Sequence, residues 1–354
     1  MRSIWIACTL AITACGQNQD PLLWGGLKPG PYSIGYRSYF EFDPSRSFDA
    51  GGSVRPILVN MWYPAQHDAS DRLRYGDYLK IPPLPQYPNF VSNLERFLLD
   101  TLSDDLFRKK WTKLNPNERR FAEVLLSKPI MAHRVARAAT GKFPIILYHA
   151  GAAGSFEENS VMLEYLASHG YVVITSAFQS ADGQHVSNNY VGPETSWHDL
   201  AFLLKHARSL PFTDASKVGA IGHSMGAQYL LEWLGQRPSP PLSAVVSLDT
   251  TLEYTPEDFE GHRSLRSRFA SLKPVTAPVL VAASAERSPR FSTWDRYLRE
   301  HTDVSIPHFK HGDFLVHGSL ARAYNRQLAA EVRSSYDHLV VAVRSFLDAM
   351  LRGA

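Results

Sequence analysis

Cysteine is nearly absent from this chain. Two occur in 354 residues, Cys8 and Cys15, and both fall in the first fifteen positions, so the remainder holds no internal disulfide and depends on packing for its stability. No stretch of 18 or more residues is continuously apolar, which excludes a membrane-spanning helix. A surplus of one charge is missing too. Thirty-seven basic against 34 acidic side chains leave a formal +3, too small and too evenly spread to hold a nucleic acid by electrostatics. Internal repeats and low-complexity tracts are also lacking, which excludes solenoids and disordered chains. What is present, 44% hydrophobic and 20% charged residues, supplies a large core for a soluble globular protein.

The amino terminus differs from the rest. Arg2 precedes a short apolar run over residues 4–12, followed by Thr13-Ala14-Cys15. This is the pattern of a secretory signal over residues 1–14, too short to cross a bilayer. Ile12-Thr13-Ala14-Cys15 resembles the bacterial lipobox. That resemblance implies cleavage before Cys15, lipidation of its thiol, and an exported protein anchored at a membrane of the bacterial cell envelope. The alternative is an ordinary signal with a coincidental cysteine.

The rest divides into three by pattern. Residues 20–64 carry turn signals at Pro29-Gly30-Pro31 and Asp43-Pro44, then a strand candidate over 56–63 ended by Pro64, and read as antiparallel edge strands. Residues 65–141 read as a helical insertion. A proline cluster at 82–88 leads into apolar positions at helical spacing, Val91, Leu94, Phe97, Leu98 and Leu102, and then Phe121, Val124, Leu125 and Met131. This insertion is either a lid over a site or a plain appendage. From residue 142 short apolar runs at 143–148, 171–175, 217–221, 242–248, 278–283 and 304–309 alternate with helical patterns at 160–169, 196–209, 227–236, 292–301 and 336–351. Such alternation predicts an α/β fold with a mostly parallel central sheet and helices on both faces.

One strand candidate runs into Gly222-His223-Ser224-Met225-Gly226, and a helical pattern follows. A strand, G-x-S-x-G and a helix together resemble the nucleophile elbow of the α/β hydrolases, where the serine sits on a strained turn that lifts its hydroxyl above the sheet. Side chains at Gly222 and Gly226 would collide where strand and helix approach. Ser224 is therefore the candidate nucleophile. A hydroxyl needs a base to take its proton, and the base needs an acid to fix its tautomer. In that superfamily the order is nucleophile, acid, histidine, which directs the search downstream. Asp249 ends the next strand, at the carboxyl edge where ligands bind in open α/β sheets. Glu286, after the following strand, is the rival; Asp249 is preferred because the shorter side chain ends its strand directly. For the base, His311 opens a loop after the last strand candidate, whereas His308 falls within that strand and His317 is the reserve. Spacings of three and six residues without a cysteine fit no common zinc site, so no metal is implied. His223 and His301 read as packing or surface groups.

After the 143–148 strand comes His149-Ala150-Gly151-Ala152-Ala153-Gly154. Small residues here let backbone N–H groups reach a substrate carbonyl; the second donor is the N–H after the nucleophile, Met225. Gly151 is the candidate loop donor, with Ala150 and Ala152 as alternatives. The run lacks the Lys-Ser/Thr of a phosphate-binding loop.

Leu147-Tyr148-His149 through Val172-Val173, the elbow, Val246-Ser247-Leu248-Asp249 and the His311 loop together resemble the platelet-activating factor acetylhydrolase family and the bacterial dienelactone-hydrolase-like and polyester-degrading hydrolases. Gly30-Pro31-Tyr32 and Trp62-Tyr63-Pro64 are similar to the same group. The likeness covers residues 29–64 and 143–320 and leaves the insertion unmatched. It implies an α/β-hydrolase fold and an acid after the strand that follows the nucleophile helix, which is Asp249. It also implies cofactor-free hydrolysis of a carboxylic ester, with short-acyl or phospholipid-type esters as small-molecule or lipid substrates. The usual His-Gly is His149-Ala150 here, which leaves the oxyanion donor open. Two other readings remain: a non-catalytic surface lipoprotein of the same fold, and an amide or peptide hydrolase using the same triad.

Overall fold

The apolar run Phe143–His149 is buried along its whole length, because it lies in the middle of a sheet covered on both faces, where a strand needs no polar side. This is seen in a computed structural model that describes residues 21–48, 52–67, 72–178, 193–236, 242–250, 269, 271–286 and 297–353. The signal segment, Cys8, Cys15 and residues 292–296 of the helical pattern at 292–301 lie outside the described residues, and the end of that pattern, His301, already belongs to a strand.

Among the described residues ten strands form one sheet: β1 (Ser33–Ser47), β2 (Val54–Ala65), β3 (Arg72–Arg74), β4 (Pro129–Arg134), β5 (Phe143–His149), β6 (Val172–Thr175), β7 (Thr213–His223), β8 (Ala244–Leu248), β9 (Val279–Ser284) and β10 (His301–Ile306). Their order is β10-β9-β8-β7-β5-β6-β2-β1-β4-β3. The six strands from β10 to β6 are mutually parallel, while β2 joins β6 and β1 antiparallel. Helices α4 (Ser160–Ser168), α5 (Pro193–Ser209) and α6 (Met225–Gly235) follow strands of the parallel block, and α7 (Val316–Asn325) and α8 (Ala329–Arg352) close the chain. Leu163, Leu320, Leu339 and Val343 pack on one face of the sheet. Leu200, Leu203, Leu230 and Leu231 pack on the other. Burying each such side chain contributes roughly 1.5–3 kcal/mol.

Three expectations are corrected. β1 and β2 are antiparallel as read, but they are interior rather than edge strands, because β2 lies between β6 and β1, and β1 is covered by β4, which pairs in turn with β3. Both covering strands come from residues 65–141, so that segment is not helical throughout. The last strand, β10, ends at Ile306, and His308 sits beyond it in the left-handed region at φ 66°, a conformation that terminates a strand.

The helices of residues 65–141 form for local reasons. α2 (Pro88–Phe107) has proline in its first turn and stops where Arg108 turns left-handed at φ 58°, since a proline at the start lacks only an N–H that has no partner there. Leu94, Leu98, Leu102 and Leu106 recur every four residues and are buried, one stripe of the helix. α3 (Pro116–Ser127) starts with a capping box in which Asn115 Oδ1 accepts from Glu118 N–H at 3.0 Å and Glu118 Oε2 from Asn115 N–H at 2.9 Å. A short helical turn before α2, at Tyr75–Asp77, adds Tyr75 to the core. A short helix, α1 (Pro21–Trp24), caps the same face of the sheet through Leu23 and Trp24.

Candidate active site

β7 ends at His223 and α6 begins at Met225, so Ser224 alone makes the turn between them, at φ 52° and ψ −120°. A non-glycine residue held there costs on the order of 1–3 kcal/mol and needs support from its surroundings. Ser224 N–H donates to Leu248 O at 2.9 Å, and Ser224 O accepts from Gln228 N–H at 3.3 Å. The flanking glycines make room. A Cβ on Gly222 would lie 2.5 Å from Ala227 N, and one on Gly226 would lie 2.3 Å from His149 O.

β8 ends one residue before Asp249, and the structure brings that carboxylate to the same edge as the elbow. Asp249 Oδ2 accepts from His311 Nδ1–H at 2.7 Å, and His311 Nε2 accepts from the Ser224 hydroxyl at 2.9 Å. The Asp249 side chain is fully buried and that of His311 is 36% exposed, so the chain of bonds runs from the interior to an accessible imidazole. The His311 loop folds as a 3-10 turn over His311–Phe314, and Lys310 N–H donates to Asp313 Oδ2 at 2.7 Å to hold it.

The alternative residues lie elsewhere. Glu286 is exposed, with His308 Nδ1 4.0 Å from its Oε1. His317 is buried in α7, where Nδ1 is 2.7 Å from Asp105 Oδ2 and Nε2 is 2.7 Å from the Tyr75 hydroxyl. Burial opposes charge on His317, but the Asp105 hydrogen bond and carboxylate outweigh it and hold its ionisation above the ordinary histidine value. His301 begins β10. His223 is a packed group and not a surface one: it is buried, and its Nε2 lies 3.2 Å from the His311 carbonyl. That contact makes Nε2 the protonated nitrogen. Burial, with His311 beside it, keeps His223 neutral by depressing its ionisation well below the usual range.

On the oxyanion side, Met225 N–H opens α6 and has no partner among the described residues. Gly151 behaves otherwise. Its N–H donates to Glu158 Oε1 at 3.2 Å, so in this geometry it is turned to a buried carboxyl rather than toward Ser224. Ala152, the next residue, lines the cleft, and its N–H has no partner among the described residues. The turn itself is tight: Gly154 N–H donates to Gly151 O at 3.0 Å, and Ala153 sits at φ 53°. His149 stacks on Phe178 with ring centres 3.7 Å apart, and burial pushes its ionisation down to about 4.

A cleft of about 660 Å³ opens over Ser224 and His311. Its outer wall is α2, whose apolar stripe faces the core while Asn93, Arg96, Asp100 and Asp104 line the opening. Thr101 O–H donates to Ala153 O at 3.2 Å, which ties this helix to the oxyanion turn. Sequence reading missed Glu158 and the role of His223. The only signal was a pair of acids, Glu157-Glu158, ahead of an otherwise apolar helix, and acids before a helix are ordinary there.

Ser224 stands between strand and helix, with the carboxylate delivered after β8 and the imidazole after β10 of a mostly parallel sheet, and the fold as a whole is similar to solved structures. A ferulic acid esterase from Streptomyces cinnamoneus superposes with a TM-score of 0.62 at 17% identity, covering 93% of each chain. The chain has the α/β-hydrolase fold. Further α/β hydrolases are more distant: an acylaminoacyl peptidase from Pyrococcus horikoshii, TM-score 0.49 and 12% identity over 94% of this chain and 44% of that one, and Est1E from Butyrivibrio proteoclasticus with ferulic acid bound, TM-score 0.40 and 13% identity over 57% and 90%. The sequence matches no protein-family model and no curated protein.

Proposed function

We propose that this α/β hydrolase is a serine carboxylic ester hydrolase working through an acyl-enzyme on Ser224. One observation carries the reading: the unbroken hydrogen-bond chain from Ser224 through His311 to Asp249, opening into the cleft. His311 Nε2 takes the Ser224 proton as Oγ bonds to the substrate carbonyl carbon, and the carbonyl electron pair moves to oxygen. Met225 N–H and the loop donor hold that oxyanion, each worth about 3 kcal/mol in the transition state. Asp249 stabilises the imidazolium, which then gives the proton to the leaving alcohol as the ester bond breaks. Water, deprotonated by the same imidazole, releases the acid and frees Ser224.

Short-acyl or phospholipid-type esters are the proposed substrates. Support comes from the resemblance to the acetylhydrolase family and from the apolar and polar surfaces that share the cleft. An exported protein anchored through lipid on Cys15 would meet such esters at a bilayer surface; a Cys15→Ser chain should then move from the membrane fraction to the soluble one. The enzymatic reading is tested with short-chain nitrophenyl esters and a fluorophosphonate probe. Wild-type protein is expected to turn over the esters and be labelled, and Ser224→Ala to do neither; parent-rate turnover by Ser224→Ala would refute the proposal.

A further inference from the structure

Glu158 lines the cleft beside Ser224, yet acyl transfer as set out above gives it no step. We propose that Glu158 is a positioning residue for that ester hydrolysis, acting as a neutral carboxylic acid that locks the turn bearing the loop N–H of the oxyanion site. The inference rests on the ester-hydrolase reading and deepens it.

Geometry carries the argument. Glu158 Oε1 accepts from the Tyr148 hydroxyl at 2.8 Å and from Gly151 N–H at 3.2 Å, so it ties the end of β5 to the turn that follows. Gly154 closes the same turn, and a Cβ there would lie 2.1 Å from Glu158 Oε2; only glycine lets the carboxyl lie against the loop. Both donors use Oε1, and Oε2 has no hydrogen-bond partner among the described residues, which leaves it as the oxygen that carries a proton. From the cleft side Thr101 holds the Ala153 carbonyl. The turn is thus gripped from behind by Glu158 and from in front by α2.

The charges around the carboxyl agree with the neutral form. From α2 Asp105 opposes its ionisation, from α7 His317 favours it, and from the elbow the neutral His223 places Nδ1 3.8 Å from Oε1. Glu157, the preceding residue, is itself buried and held above the usual carboxylate range. No lysine or arginine among the described residues pairs with Glu158. Burial dominates and pushes its ionisation up to about 8. Above that pH the proton passes to water. The resulting carboxylate sets a negative charge against the oxyanion turn in the cleft it shares with Ser224, which opposes the oxyanion developing there and lowers kcat.

The test measures kcat and KM for a short-chain nitrophenyl ester from about pH 6 to about pH 10, with the active fraction counted by fluorophosphonate titration. Wild type is expected to lose kcat above about pH 8. Glu158→Gln, whose amide nitrogen takes the Oε2 position, should keep kcat near neutral pH within about threefold and abolish the alkaline loss. Glu158→Ala should lower kcat by about tenfold or more, with KM within about twofold, because a lost orienting group acts in the transition state. Tyr148→Phe removes a donor that favours the carboxylate, so the alkaline loss should move to higher pH. An unchanged alkaline limb in Glu158→Gln, or a Gln variant as impaired near neutrality as the Ala variant, overturns the inference, as does an Ala variant with wild-type kcat and profile. If Glu158→Ala does not fold, the Gln and Tyr148→Phe profiles decide. A wild type that neither turns over ester nor takes the probe sinks the ester-hydrolase reading and this inference with it. Ser224-dependent turnover with pH profiles indifferent to Glu158 sinks the inference alone.

Discussion

His317 of α7 and Asp105 of α2 meet at 2.7 Å, joining the insertion to the parallel-sheet core at the wall of the cleft, which Asp105 lines. His317 is buried and its partner partly so, with 26% of the Asp105 side chain exposed. Because the folded ionisation of His317 lies above its unfolded value, the pair contributes stability that is full below the unfolded value, near pH 6.5, and is lost as pH rises through the folded one. The midpoint of thermal unfolding should therefore fall with rising pH across that window, and the slope should flatten in Asp105→Asn. Equal slopes in variant and parent would show the pair to be inert.

Asp249 and Glu286 make opposite predictions. Asp249→Asn should leave the fold intact and lower kcat by roughly 10³ to 10⁴, because the amide can fix the wrong imidazole tautomer. Glu286→Gln, at an exposed carboxylate outside the Ser224–His311–Asp249 chain, should turn over esters at the parent rate. Steady-state kinetics on both variants would check this, and the reverse ranking would reassign the acid.

Gly226→Ala places a methyl group 2.3 Å from His149 O and 2.4 Å from Ala150 O. Neither carbonyl can retreat without moving the oxyanion loop. Expected are a fall in kcat of about 10² or more, the loss typical when an oxyanion donor is displaced, and a lower unfolding midpoint. A variant with parent kinetics would mean that the loop has slack absent from this geometry.

Thr101→Val deletes the hydroxyl that holds Ala153 O at 3.2 Å while keeping the side-chain shape. About 1 kcal/mol of stability should be lost, together with a few-fold drop in kcat, since the oxyanion turn loses its outer tether. Parallel measurement of unfolding and turnover separates the two effects. Loss of stability with unchanged kcat would limit α2 to a structural wall.

Sequence patterning was enough for the parallel block and the elbow because both are local. A continuous apolar run such as 143–148 suits only a strand buried on two faces, and the elbow is written in consecutive residues, with Gly222 required by its neighbours Gly226 and Ala227, although Gly226 answers to the distant His149 and Ala150 carbonyls. The order of Asp249 and His311 after Ser224 followed from the resemblance, and the candidates themselves stood at strand ends, where side chains leave the sheet. The place of β2 was not legible. Pro64 reads as the end of an edge strand, but β2 lies between β6 and β1, and β1 is covered in turn by β4 from a segment that returns from α3.

By itself, then, the sequence determined which residues can form strand, turn and helix, and which side chains are candidates for nucleophile, base and acid, because these depend on near neighbours and intrinsic chemistry. The tertiary structure alone decided that Glu158 lies under Gly151, that His223 supports the His311 carbonyl, and that the polar face of α2 walls the cleft. Each of these is a contact between segments that no periodicity links, and its energy comes from burial, which a linear pattern does not encode.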